Sequence, residues 1–198
     1  MSKRTRLMPE TIALSIICPT IIGRDTQRMA MAQLLTRAQN ERGQTLLITG
    51  EAGIGKSRLV AELGQQAHEQ RVRIIAGRSF ETDSAIPCAL LADLLRSYLA
   101  TQPIPELIQQ LGPSAVEMAK LLPELQPYLP TPTPLTPITA EPDKRRLFEA
   151  ILHFFVAPSQ PTLIVVEDAH WSDHTSLDFL LFLARKLAAY PILLAITY

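Results

Sequence analysis

Eight consecutive residues, Gly50-Glu51-Ala52-Gly53-Ile54-Gly55-Lys56-Ser57, satisfy the pattern G-x-x-x-x-G-K-[ST] at every fixed position. Polyphosphate oxygens must come within hydrogen-bond distance of backbone N–H groups, and glycines let a loop curl around them with no side chain in the way. A helix expected to start near Lys56 aims its N-terminal N–H groups and the positive end of its dipole at the same anion. Lys56 is then placed to reach the β- and γ-phosphates, and the Ser57 hydroxyl to ligate Mg²⁺.

Such a loop needs an acid on a neighbouring strand for its metal. Leu163-Ile164-Val165-Val166-Glu167-Asp168 offers four apolar residues followed by two carboxylates at the strand's C-terminal end, where ligands bind in open α/β sheets. Glu167 stands where the Mg²⁺-associated acid is expected, and Asp168 where a residue could orient the attacking water. Spacing alone leaves the division of labour between the two open. Just beyond, His170-Trp171-Ser172-Asp173-His174 sets two histidines four apart with a carboxylate between, as some zinc hydrolases do. The acid is Asp rather than Glu, however, and the segment directly follows a strand, so Ser172, Asp173 and Thr175 read better as caps for a helix from about residue 175. No G-x-S-x-G occurs, and the four histidines give a hydrolytic triad little support.

The elements that must position these residues follow from periodicity. Met31, Leu34, Leu35 and Ala38 mark one face of a first helix, closed by Asn40-Glu41-Arg42-Gly43. Thr45 to Thr49 reads as a strand leading into the glycine loop, and Leu59, Val60, Leu63 and Ala67 stripe the helix after it. Val72 to Ala76 predicts a second strand and Ala89 to Leu99 another helix. Residues 101–142 hold ten of the sixteen prolines. Helical pieces are expected at Pro105 to Leu111 and Ser114 to Leu122, and a surface loop of partly polyproline character from Gln126 to Pro142. Phe148, Ile151, Leu152 and Phe155 stripe a further helix, and Leu177, Leu180, Leu181, Ala184, Leu187 and Ala188 the last one. Leu163 to Val166 and Ile192 to Tyr198 read as buried strands. Strands alternating with helices predict an α/β fold with a mainly parallel sheet.

Composition adds exclusions. Nineteen basic and nineteen acidic residues cancel, so no global field draws the chain to nucleic acid or anionic lipid. The short clusters Lys3-Arg4-Arg6, Arg71-Arg73 and Lys144-Arg145-Arg146 read as solvated faces, and no direct nucleic-acid contact is expected. Cys18 and Cys88, without a second pair, read as free thiols in a reducing cytosol. The basic start before Thr11–Ile17 resembles the opening of a secretory signal. Its apolar run is only about seven residues and ends in Cys18-Pro19, so a cytoplasmic location is expected. No run approaches the ~18 apolar residues of a membrane span.

With both motifs in place, the chain resembles the N-terminal part of the NTPase module of large bacterial signalling ATPases. These are the STAND and origin-recognition-complex-like AAA proteins fused to LuxR-type regulators, nucleotide cyclases or kinases. Ile21-Ile22-Gly23-Arg24-Asp25 resembles the family's V-G-R-E, which lies near the nucleotide base and so implies Gly23 and Arg24 as nucleotide contacts. Gly50 to Arg58 is close to its typical P-loop, adding Glu51, Ala52, Ile54 and Arg58 to the cradle. Val165 to Asp173 resembles its D-D-L-H-W-A-D element, and Leu121-Leu122-Pro123-Glu124-Leu125 a recurrent family segment. The resemblance implies a P-loop NTPase three-layer core over 20–198 behind a poorly ordered leader at 1–19. It further implies ATP and Mg²⁺ as ligands, slow hydrolysis, and a switch that self-associates or works within a larger regulator. Glu167 stands where Asp is commoner in the family. The resemblance also implies that a last strand flanking the P-loop strand, a sensor arginine and a lid lie beyond Tyr198. Adenine is expected over guanine because no N/T-K-x-D motif appears.

Overall fold

The computed structural model describes residues 23–40, 42–100, 103–129, 140–156 and 160–198. Four short apolar segments form a wholly parallel sheet: β1 (Gln44–Ile48), β2 (Arg73–Arg78), β3 (Thr162–Glu167) and β4 (Ile192–Thr197), in the order β1-β4-β3-β2. Every residue of β3 is buried. A strand covered on both faces has no solvent side for polar residues, which is why its sequence is continuously apolar. The register sets Leu163 between Ile74 and Leu193, and Val165 between Ala76 and Ala195.

Helices cover both faces of this sheet. α1 (Asp25–Asn40) and α2 (Lys56–Glu69) lie on one, where Met31, Leu35, Leu59, Leu63 and Ala67 pack with Ala76, Leu163, Val165, Leu193 and Ala195. On the other lie α3 (Ala89–Leu99), α4 (Ile104–Leu111), α5 (Ala115–Met118), α6 (Glu141–Val156) and α7 (His174–Lys186). Their buried residues pack with Ile75, Ile164, Val166, Ile192 and Leu194. Alternate residues of β3 therefore feed two separate cores, which makes three layers. α3 approaches β2 so closely that a Cβ on Gly77 would lie 2.8 Å from Leu94 Cγ, and the strand accommodates no side chain there.

Three sequence expectations are corrected. The buried stripe of α7 is rotated from the expected one: Phe179, Leu180 and Leu183 are buried, whereas Leu177 is 41% and Leu181 52% exposed. Edge-on contacts of Phe179 with Phe148 at 5.3 Å and Phe155 at 6.2 Å fix that rotation. Both ends of the stretch expected as a loop, Gln126 to Pro142, belong to helices. Pro123–Tyr128 forms a 3₁₀ helix, and α6 already begins at Glu141 with Pro142 in its first turn, where a missing N–H costs nothing. Third, Arg73 is 8% exposed rather than solvated. Its Nε donates to Thr162 Oγ1 at 3.0 Å and its Nη2 to the Phe155 carbonyl, with the guanidinium 5.2 Å from the Tyr98 ring centre. Burial pushes this guanidinium below its ordinary value, opposed by a hydrogen bond with Tyr98. The leader at 1–19, Cys18, Ile21-Ile22, Glu41 and residues 130–139 of the expected proline-rich loop lie outside the described residues.

Candidate functional site

The glycine loop turns at the C-terminal end of β1 and runs into α2, whose first residue is Lys56. Gly53 has φ 79° and Gly55 φ 99°, backbone conformations that side-chain-bearing residues rarely adopt. A Cβ at Gly53 would meet nothing within 4 Å, so the demand for glycine there is conformational, not one of space. Gly55 is the N-cap of α2 and no side chain caps the helix, leaving N-terminal N–H groups without the partner that a cap would supply. Lys56 Nζ folds back over the loop, donating to the carbonyls of Gly50 at 2.6 Å and Glu51 at 3.3 Å. Arg24 donates through Nη2 to the Ile54 carbonyl, so its guanidinium lies against the loop itself. One turn along α1, Arg28 pairs with Glu62 of α2 at 2.7 Å and ties the two helices together.

Glu167 and Asp168 stand at the C-terminal end of β3, on the same edge of the parallel sheet as the loop, with β4 between. Glu167 is 6% exposed, and its Oε2 is buried with no hydrogen-bond partner among the described residues. An ionised carboxylate oxygen in that setting is costly unless a cation meets it. Asp168 has φ 55°, the left-handed conformation that Asp tolerates better than most residues. Its N–H donates to Thr197 Oγ1 at 2.8 Å. Its Oδ2 accepts from both Nε and Nη2 of Arg78, at 3.0 and 2.9 Å. The ends of β2, β3 and β4 are thus tied through one residue.

Arg78 and Thr197 are the residues that sequence reading missed. The expected second strand stopped at Ala76, whereas β2 continues to Arg78 and sets it in register with Glu167. A charged residue directly after Ile74-Ile75-Ala76-Gly77 was the available signal. Of the expected caps, Asp173 alone is the N-cap of α7; its Oδ1 accepts from the Ser176 N–H at 3.1 Å. Ser172 Oγ lies 2.6 Å from Ser79 Oγ, and Thr175 is already inside the helix. The His170 ring lies against the rings of Trp171, 4.9 Å away, and Tyr198, 5.7 Å away.

A phosphate-binding type of loop, an uncapped helix behind it and two acids on the same sheet edge suit a nucleoside polyphosphate. Among the described residues, no helix is long and apolar enough to cross a membrane. The chain is similar to an uncharacterized protein of Rhizobium meliloti (strain 1021), with 28% identity over 196 residues. That alignment covers 89% of this chain and 18% of the relative, so the chain spans about a fifth of the relative's length. The model of the AAA ATPase domain matches residues 20–195. The chain therefore belongs to the AAA ATPase domain family, nucleotide-binding domains of ATPase type.

Proposed function

We propose that this domain binds Mg·ATP at the Gly50–Ser57 loop and turns it over slowly, its nucleotide state acting as a switch within a larger signalling protein. The observation that carries the reading is the buried, unpartnered Glu167 Oε2 on the same sheet edge as Lys56 and Ser57. Glu167 and the Ser57 hydroxyl are hard oxygen donors of the kind Mg²⁺ takes. When bound, the metal would supply charge neutralisation at the phosphate oxygens. Lys56 exchanges its two carbonyl acceptors for phosphate oxygens, the loop's N–H groups and α2 hold the polyphosphate, and Gly23 and Arg24 flank it. Slow turnover is supported by the Arg78 pair, because Asp168 Oδ2, held by Arg78 at 2.9 Å, is not free to orient water. That the chain corresponds to 18% of a longer relative supports a role as one part of a larger protein.

The same ion pair favours a second reading, a module that binds nucleotide and presents a surface without multiple turnovers. One experiment addresses both. Calorimetric titration of Mg·ATP into the chain is expected to give saturable binding, weakened about a hundredfold or more by Lys56→Ala through the loss of charge-assisted phosphate bonds. Phosphate release beyond one equivalent then selects the switch, and release that stops at or below one equivalent selects the module. A folded chain that takes up no Mg·ATP sinks both.

A further inference from the structure

Between the end of β2, the turn before α3, α3 itself and the residues after α5 lies a cavity of about 480 Å³. That volume falls within the range of small-molecule sites. Arg78, Arg96 and Lys120 line it, facing two carboxylates, Asp83 and Asp93. Asp93 is already engaged, its Oδ2 accepting the Arg78 backbone N–H at 2.8 Å. The acids that pair with the three cations all lie outside the lining: Asp168 with Arg78 at 2.9 Å, Glu124 with Arg96 at 2.9 Å, and Glu117 with Lys120 at 2.7 Å. Each cation can therefore exchange an outer partner for an anion held inside. Phe80 and Ile86, also in the lining, stay 50% and 53% exposed, and the Arg78 guanidinium lies 5.6 Å from the Phe80 ring centre. Bare apolar surface beside three lining cations fits a ligand with an apolar body and an anionic head.

We propose that this cavity binds a small amphipathic organic anion, a carboxylate or phosphate on an aryl or branched aliphatic body, and that binding draws Arg78 away from Asp168. Arg78 commits Nε and Nη2 to one Asp168 oxygen and cannot offer that same edge of the guanidinium to a ligand. The ligand and Asp168 compete for it, and the coupling is reciprocal. The site stands on the cavity alone; its effect on turnover rests on the proposed role of Asp168.

The test is an NMR titration of the isotope-labelled chain with 3-phenylpropionate, with phenyl phosphate, and with the neutral 3-phenylpropanol. Saturable shifts are expected for either anion at the Phe80 and Ile86 amides, the Arg78 Nε–H and the Asp168 amide. They should persist with Mg·ATP present and in Lys56→Ala. They should weaken about tenfold in Arg96→Gln/Lys120→Gln and in Phe80→Ala, the latter serving if the double variant fails to fold. Comparing the two anions identifies the preferred head group. No saturable shift, or an equal response to the alcohol, overturns the site. Shifts confined to the glycine loop and lost in Lys56→Ala overturn it too, because the anion has then taken the phosphate position. Shifts at Phe80 and Ile86 with the Arg78 and Asp168 signals unmoved overturn the coupling. Failure of Mg·ATP to bind in the calorimetric titration sinks the nucleotide reading and leaves the cavity result intact.

Discussion

Asp173 joins two segments at once. Besides capping α7, its Oδ1 accepts the Cys88 N–H at 2.9 Å, and its Oδ2 accepts the Ser176 hydroxyl at 2.5 Å. Cys88 is held there with φ 62° and is 2% exposed. Burial first, and the nearby Asp173 charge second, push its thiol up to about 11 from an ordinary 9.0. A folded state that holds its proton more tightly than the unfolded chain loses stability as pH rises from 9.0 toward 11. Urea unfolding across that window should show a fall of about 2 kcal/mol attributable to this group, and Cys88→Ala should flatten it. A wild-type slope unchanged by the substitution would show the thiol is not the cause. The glycine loop was legible in sequence because its chemistry demands contiguous residues. The Arg78–Asp168 pair was not, since its members are 90 residues apart and meet only once β2 and β3 are in register.

The strands and most helices were legible because burial on two faces or one leaves a periodic trace. α2 is the plain case, with Leu59, Val60, Leu63 and Ala67 all buried as the stripe predicts. α7 is the opposite case. Its run Leu177-Asp178-Phe179-Leu180-Leu181-Phe182-Leu183 supplies apolar residues to more than one face, so periodicity alone does not choose the rotation. Packing of Phe179 against α6 chooses it. Leu183→Ala should therefore cost about 2–5 kcal/mol in urea unfolding, while Leu181→Glu should stay within about 0.5 kcal/mol. The reverse order of effects would restore the rotation expected from sequence. Arg73 was misread for a related reason: the expected strand from Val72 to Ala76 already contains it, but nothing local shows that Tyr98, from α3, lies over it and buries it.

For the molecule as a whole, the alternation of strands and helices was enough to give a parallel α/β sheet, but not the order of its strands. That order places β1 at the sheet's edge with β4 as its strand partner among the described residues. Gln44 pairs with Leu193 and Ile48 with Thr197, positions about 150 residues apart along the chain. During synthesis the Gly50–Ser57 loop leaves the ribosome about 140 residues ahead of Ile192–Thr197, the strand that pairs with its own among the described residues. A chain cut after Tyr190 should show no cooperative urea transition and no Mg·ATP uptake, checked by circular dichroism and calorimetry, because closing so long a loop brings no sheet contact until its end arrives. Mg·ATP uptake by that cut chain would show that β1 is held by the helices alone. Nucleotide capture by this domain therefore waits for Ile192–Thr197, and a translation product interrupted before that strand carries the whole motif without the means to use it.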